Sequence, residues 1–341
     1  MNTQLDCSIG LKEETGYGTA VVPDRFTEFV SESLAWTPEF KQGAGLRLGS
    51  RVPRASRRAL VKQSAGGDIE LEMTTKGMGL FLKALFGNST STAIGASGAF
   101  QQVHTLTTTS PLPSYTIQKG TPLLHGEVSA TTFLGAMCAS AELSASNADI
   151  VKLKTSWSAR EIKTDTAYAP PSYAVDGDLL TFVHGAIRIG GDVTPPTATA
   201  LADGGADAAN ITEFSLTIDN KLDEGGFTFG GQGKRNRRQA VGLAEVKGKI
   251  TAEYSSNVLR DAYLNQLPLT LVMTFETPTD IAPGVKAALQ IFLPVIKLEG
   301  EVPKSNGGEV ITQSIDFTGL DPALAGVAPV YAVYRTTDTD I

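Results

Sequence analysis

The feature that most constrains this chain is a succession of residues that occurs twice. Residues 33–86, "SLAWTPEFKQGAGLRLGSRVPRASRRALVKQSAGGDIELEMTTKGMGLFLKALF", and residues 215–267, "SLTIDNKLDEGGFTFGGQGKRNRRQAVGLAEVKGKITAEYSSNVLRDAYLNQL", carry the same features in the same order at an offset of 180–182. Arg57-Arg58 falls on Arg237-Arg238, Val61 on Val241, Ile69 on Ile250, Glu72 on Glu253 and Leu82 on Leu264. Later, residues 148–162 meet 308–321 at an offset of 160, with Trp157 on Phe317. A repeat of this kind makes each copy one structural unit.

Each copy reads as a strand (Leu34 to Phe40; Phe214 to Asp219), a long Gly-rich basic hairpin, and a second, alternating strand. Ile69, Leu71 and Met73 point one way and Asp68, Glu70 and Glu72 the other; the inward set of the second copy is Ile250, Ala252 and Tyr254. Period two marks a strand buried on one face. A short helix follows at about 76–86, with Met78, Leu82 and Leu85 on one stripe, and at about 257–266, with Leu259 and Tyr263. Ser256 or Asn257 suits the second N-cap, and Gly87 the end of the first helix. The strands "SYTIQKG" and "LTLVMTFE" come next, then closing hairpins that turn at Asn147-Ala148-Asp149 and Asn306-Gly307-Gly308.

The expected class is therefore mainly β: two duplicated sandwich or open-barrel units, each with one short α-helix and a long extended hairpin loop. The expected boundaries are an N-terminal arm at 1–32, a first domain at 33–163, a linker and insertion at 164–212, and a second domain at 213–341. Residues 87–111 read as a loop without a long counterpart in the second copy, and 190–210 as loop or insertion.

Charge is segregated. The net charge is −7, yet residues 41–62 hold seven basic residues and no acid, and residues 219–241 hold five basic and three acidic ones. The remainder has 17 basic against 33 acidic residues, a balance of −16. A dedicated DNA binder needs a broad basic face, which such a body lacks. The two basic stretches read instead as equivalent arms, mobile before assembly, whose arginines pair with acidic surfaces of another copy. The candidates for such contacts are Arg47, Arg51, Arg54, Arg57 and Arg58 in the first arm and Lys234, Arg235, Arg237 and Arg238 in the second.

No constellation for chemistry emerges. His104, His125 and His184 stand in no motif, and read as surface or structural histidines. No HExxH or CxxC occurs, so no metal or cofactor is expected. "GGQGKRNRR" at 230–238 fails as a phosphate loop: Thr228 stands where a glycine is needed, and Arg235 where Ser or Thr is needed. Asp68, Glu70 and Glu72 on one strand face admit three readings: a cation site, a solvated face, or the wall of a water-filled channel that does not hold DNA. The solvated face is the favoured one of the first two. Cys7 and Cys138 form no disulfide framework and fit a reducing compartment. "MNTQLDCSIGLKEE" has no apolar core of a signal peptide, and no run of about 20 apolar residues suggests a membrane span. A carbohydrate-binding or capsid-decorating β protein would need exposed aromatics on one face. Trp36 and Trp157, in alternating strand patterns, read as core or edge packing instead.

The run "GLKEETGYGTAVVPDRFTEFVSESLAW" (10–36) resembles the opening of the major tail tube proteins of long-tailed bacteriophages, in Gly10, Lys12, Glu14, Tyr17, Gly18, Thr19, Pro23, Phe26 and Ser31-Glu32-Ser33. "ASRRALVKQSAGGDIELEMTTKGMGLFLKALFG" is similar to that family's strand–strand–helix unit, and "LPVIKLEGEVP…ITQSIDF" to its closing hairpin. The resemblance implies a structural, non-enzymatic protein of the virion tail, made in the host bacterial cytoplasm. Six tail-tube-type β-sandwich units would form each ring, and rings would stack into a conduit for genomic DNA. The implied partners are further copies of the chain, the tail terminator, the tape measure and distal tail proteins, with DNA passing unbound and no membrane engaged. Tyr17 and Phe26 become contact candidates in the arm, and Asp68, Glu70 and Glu72 lumen candidates. With two units per chain, three chains complete a ring. A hexamer with one unit outside is the alternative, as is a related tail-terminator, baseplate or other tube protein of the same fold.

Overall fold

The computed structural model describes residues 3–109, 111–173, 177–206, 210–254, 257–300, 302 and 311–341. The strands are β1 (Ser8–Glu13), β2 (Arg25–Thr27), β3 (Ser31–Glu32), β4 (Ala35–Gln42), β5 (Arg58–Glu72), β6 (Gly87–Ala93), β7 (Phe100–Leu106), β8 (Tyr115–Pro122), β9 (Val128–Ser146) and β10 (Lys152–Ala159). They continue with β11 (Glu161–Lys163), β12 (Gly185–Ile189), β13 (Val193–Thr194), β14 (Asp203–Gly204), β15 (Ile211–Asp219), β16 (Glu245–Glu253), β17 (Leu269–Ala282), β18 (Val285–Gly300), β19 (Thr312–Gly319) and β20 (Tyr331–Thr336). Two helices, α1 (Gly79–Phe86) and α2 (Val258–Leu264), follow β5 and β16. The protein is mainly β, as its alternating patterns require.

Eight strands form one continuous antiparallel layer in the order β4–β5–β10–β9–β15–β16–β19–β18. Ile69 and Leu71 on β5, and Met73 just after it, are fully buried beneath it. Trp157 on β10 packs edge-on against Phe81 of α1 and Tyr115 of β8. Gly67 lies opposite Trp157, and Gly248 opposite Phe317. At Gly248 an added Cβ would stand 2.2 Å from the Phe317 ring, so only glycine lets that ring lie flat on the strand.

The second layer has two parts. β2–β1–β8 joins β11 through the first half of β9; β12–β17 joins β20–β7–β6 through the first half of β18. The long strands β9 and β18 thus serve both layers. β9 bends at Gly135, whose φ of +63° suits glycine and whose missing Cβ leaves room for the Tyr17 ring.

Several expectations need correction. Residues 87–111 are not a free loop: β6 and β7 form a hairpin that extends the sheet of β18 and β20. The apolar and β-branched run "FQQVHTL" carries that strand, and the turn between strands is confined to 94–99. Within 164–212, Leu180 is fully buried, donates its backbone N–H to the Met73 carbonyl and accepts from Val151 N–H. The stretch 190–210 contains the small β13–β14 pair. Gly87 ends α1 with φ +77°, and Asn257 precedes α2, both as expected. Asn306-Gly307-Gly308 lies outside the described residues.

His104, on β7, is buried completely and hydrogen-bonds through Nδ1 to Ser89 Oγ at 2.6 Å. Burial, with a smaller contribution from Lys83, lowers its pKa from 6.5 to about 3. The unfolded chain therefore binds a proton below pH 6.5 that the native state refuses, and stability falls with pH. We expect His104 to remove about 1.4 kcal/mol per pH unit as pH drops from about 6.5 toward 3. Urea unfolding as a function of pH checks this, with His104→Gln flattening the slope.

Candidate assembly surfaces

The outer face of the eight-stranded layer is polar throughout. Cross-strand neighbours share a face, so the register assembles it row by row. One row runs Glu70, Lys154, Glu142, Thr217, Lys247, Thr318 and Lys297; the next runs Glu72, Lys152, Ser144, Ser215, Lys249, Asp316 and Glu299. Asp68, Ser156, Ser140, Asp219 and Glu245 make a third. These rows contain acids, lysines, serines and threonines, and neither arginine nor aromatic residues. The lysines are shared with carboxylates: Lys154 lies 3.0 Å from Asp68, and Lys247 3.2 Å from Glu245. A hydrogen bond from Ser156, then the Lys154 ammonium, hold the Asp68 carboxyl below its usual range. Asp68, Glu70 and Glu72 thus stand together on the face opposite the core, as their alternation predicts.

The layer has an uncovered edge at β4. Its Trp36 is 38% exposed and its Phe40 40% exposed, whereas Ile218 on β15, the strand seated beside β9, is 3% exposed. From this edge the β4–β5 hairpin projects. Leu46 and Leu48 at its tip are fully exposed, and Arg47, Arg51 and Arg54 are exposed with them. Arg58 lies over the Phe40 ring at 4.9 Å. The Arg57 backbone carbonyl accepts from Gly43 N–H, closing the hairpin's base.

The second basic stretch is not an equivalent free arm. Residues 220–244 fold back onto β5, β10 and β11. Arg235 is 8% exposed, its guanidinium 4.9 Å from the Phe227 ring centre, and burial lowers its pKa. Lys234 pairs with Glu161, Arg160 Nε donates to the Arg235 carbonyl at 2.8 Å, and Gln63 N–H donates to the Gly233 carbonyl. Arg237 grips Asp223 through two hydrogen bonds of 2.6 and 3.1 Å, which raise its pKa; Arg238 is part-exposed beside it. The physical reason is local: this stretch carries its own acids and Phe227, which the first lacks, so its cations find partners within the chain.

Sequence reasoning missed the centre of the N-terminal motif. Glu14 is buried, and its carboxylate accepts from Gly18 N–H at 2.8 Å, Gly135 N–H at 2.7 Å, Ser114 Oγ at 2.9 Å and Thr116 Oγ1 at 3.2 Å. It ties the arm to the bend of β9. Tyr17 lies against that bend, and the Arg160 guanidinium stands 5.9 Å from its ring centre. Phe26 covers Gly10 on β1, where a side chain would collide with it. Both aromatic residues therefore make contacts within the chain and are half-buried. The Glu14–Gly18 spacing was the available signal; Gly135, distant in sequence, offered none.

Two outcomes test this geometry. Glu14→Gln should cost about 2–4 kcal/mol in denaturant unfolding, because two buried backbone donors then compete for one amide oxygen. Limited trypsin digestion should cut after Arg47, Arg51 or Arg54 well before Arg235 or Arg237, as read by mass spectrometry.

No curated protein matches the chain at a significant level. A family model described as phage tail tube protein matches residues 4–319, a span that takes in the Glu14 clamp, the eight-stranded layer and its polar face. A structural protein of the virion tail accounts for a large polar-faced sheet with an open edge, and this chain belongs to the phage tail tube protein family.

Proposed function

We propose that the chain is the subunit that builds the tube, and that three copies close each ring around a channel for the genome. The observation that carries this reading is the pairing of β9 with β15 through Ser140–Ser146 and Glu213–Asp219. It joins β4–β5–β10–β9 to β15–β16–β19–β18, two four-strand sets with matching connections, and so supports a duplicated unit. The repeated offset agrees, since Trp157 and Phe317 lie opposite Gly67 and Gly248. Repeating the same edge contact between chains brings the end of β18 to β4 of the next copy and removes the open edges.

Eight wall strands per chain become about 24 in a three-chain ring, with a backbone radius of about 18 Å for upright strands and about 24 Å at the usual tilt. A DNA duplex fits such a bore once side chains are added. The polar face then lines the channel. Its acids and carboxylate-shared lysines hold no free cationic row for phosphates, so DNA passes without the counterion release that would hold it. The exposed β4–β5 hairpin, with its apolar tip and arginines, is the element that reaches the adjacent ring. The tail terminator, tape measure and distal tail proteins are the expected neighbours at the tube's ends and interior. Synthesis in the host cytoplasm and DNA delivery belong to the same reading.

Cryo-electron microscopy or native mass spectrometry of assembled rings should count three chains; six would favour the arrangement with one unit outside the wall. Replacing Arg54, Arg57 and Arg58 by Ser should leave the monomer's circular dichroism unchanged and reduce ring stacking. Normal tubes from that variant would remove the hairpin from the inter-ring contact.

A further inference from the structure

The junction inside the chain is a template for the junction between chains, and it identifies two half-interfaces left uncovered. Where β15 meets β9, Leu216 and Ile218 turn inward and meet Leu82, Leu85 and Phe86 of α1 around a cavity of about 20 Å³. Every residue of α1 except Lys83 is buried there.

Among the described residues, the outer ends of the chain carry the same two parts without a strand or helix laid over them. On β4, Trp36 pairs with Ala65 one step from Gly66-Gly67, as Ile218 pairs with Val246 two residues from Gly248. Trp36 thus occupies the place of Ile218, but is 38% exposed against 3%. At the other end, α2 buries only Leu259 and Ala262. Its last residue, Leu264, is 58% exposed, and Leu267 just beyond it is 50% exposed. Leu264 matches Leu82 by sequence offset and Phe86 by its place at the helix end, and both of those line the internal junction.

We infer that Leu264 and Leu267 of one copy seat on Trp36 of the next copy. The end of β18 then lies along β4 with Glu299 opposite Thr37. That register follows from the internal one: Asp219 faces Ser140, Ser140 faces Ser156 on β10, and Glu299 faces Asp316, the β19 counterpart of Ser156. The partner is a second copy of this chain, because only another copy offers both a β4 edge and an inward apolar side chain in matching register. The contact joins apolar surface that water now touches on both sides, which is the driving force for ring closure. The inference rests on the ring reading above, and adds which side chains close the ring.

The test uses the full chain. Trp157 is buried and donates Nε1–H to Thr155 Oγ1, so its emission reports little change. Assembly should therefore shift the emission of Trp36 to shorter wavelength and reduce its quenching by acrylamide. Leu264→Ser with Leu267→Ser should raise the concentration needed for ring formation at least about tenfold, with monomer circular dichroism unchanged. In a Cys7→Ser background, Thr37→Cys with Glu299→Cys should yield covalent inter-chain multimers on mild oxidation. Rings that form while Trp36 stays as quenchable as in the monomer, or that form equally well with both leucines replaced, overturn the inference and leave the ring reading standing. Failure of the native chain to form rings at any concentration overturns both.

Discussion

The structure depends on the antiparallel pairing of β9 with β15. Two four-strand sheets become one eight-strand layer through this contact, and everything outside it is arranged to keep both strands available. β9 serves two layers, with its first half on β8 and its second half on β10 and β15. A strand can do that only if it bends, and the bend sits at Gly135. The buried Glu14 carboxylate holds the bend by accepting from Gly135 N–H while closing the turn at Gly18. A buried carboxylate is tolerable because four donors surround it. The N-terminal motif is therefore a clamp on the strand that pairs with β15.

Charge is placed in two ways. On the outer face lysine stands beside carboxylates, Lys154 next to Asp68 and Lys247 next to Glu245. Arginine is kept for other work. In the first hairpin it is exposed beside an apolar tip, and in residues 220–244 it is drawn into the chain against Phe227, Tyr17 and Asp223. The second stretch thereby braces the strands beside β9, since it touches Gln63 of β5, Ser158 of β10 and Glu161 of β11.

Much of the sheet was legible in sequence. Ile69, Leu71 and Met73 alternate with Asp68, Glu70 and Glu72, and the structure buries one set and turns the other out. The strand after each basic stretch, the helix after it, and the stop at Gly87 were also legible, because period and capping are local properties. The β6–β7 hairpin was not. Its Ser- and Thr-rich residues look like loop until β20, more than 200 residues later, supplies a partner strand. The fate of the second basic stretch was hidden for the same reason: Arg235 and Arg58 look alike in sequence, and Arg235 is buried beside Phe227 whereas Arg58 stays exposed over Phe40.

The sequence by itself determined the strand pattern, the sidedness of each strand, the segregation of charge and the absence of a recognisable catalytic motif. These follow from residue type and spacing along one segment. Tertiary structure decided which edges meet and which stay open, which basic stretch is buried, and which carboxylate carries the fold rather than facing water. Those outcomes depend on pairing free energies between segments far apart in the chain, where a partner's register sets whether a side chain is covered. Trp36 on β4 and Ile218 on β15 are both apolar residues of alternating strands, and the presence or absence of a neighbouring strand and a covering helix separates their exposures of 38% and 3%.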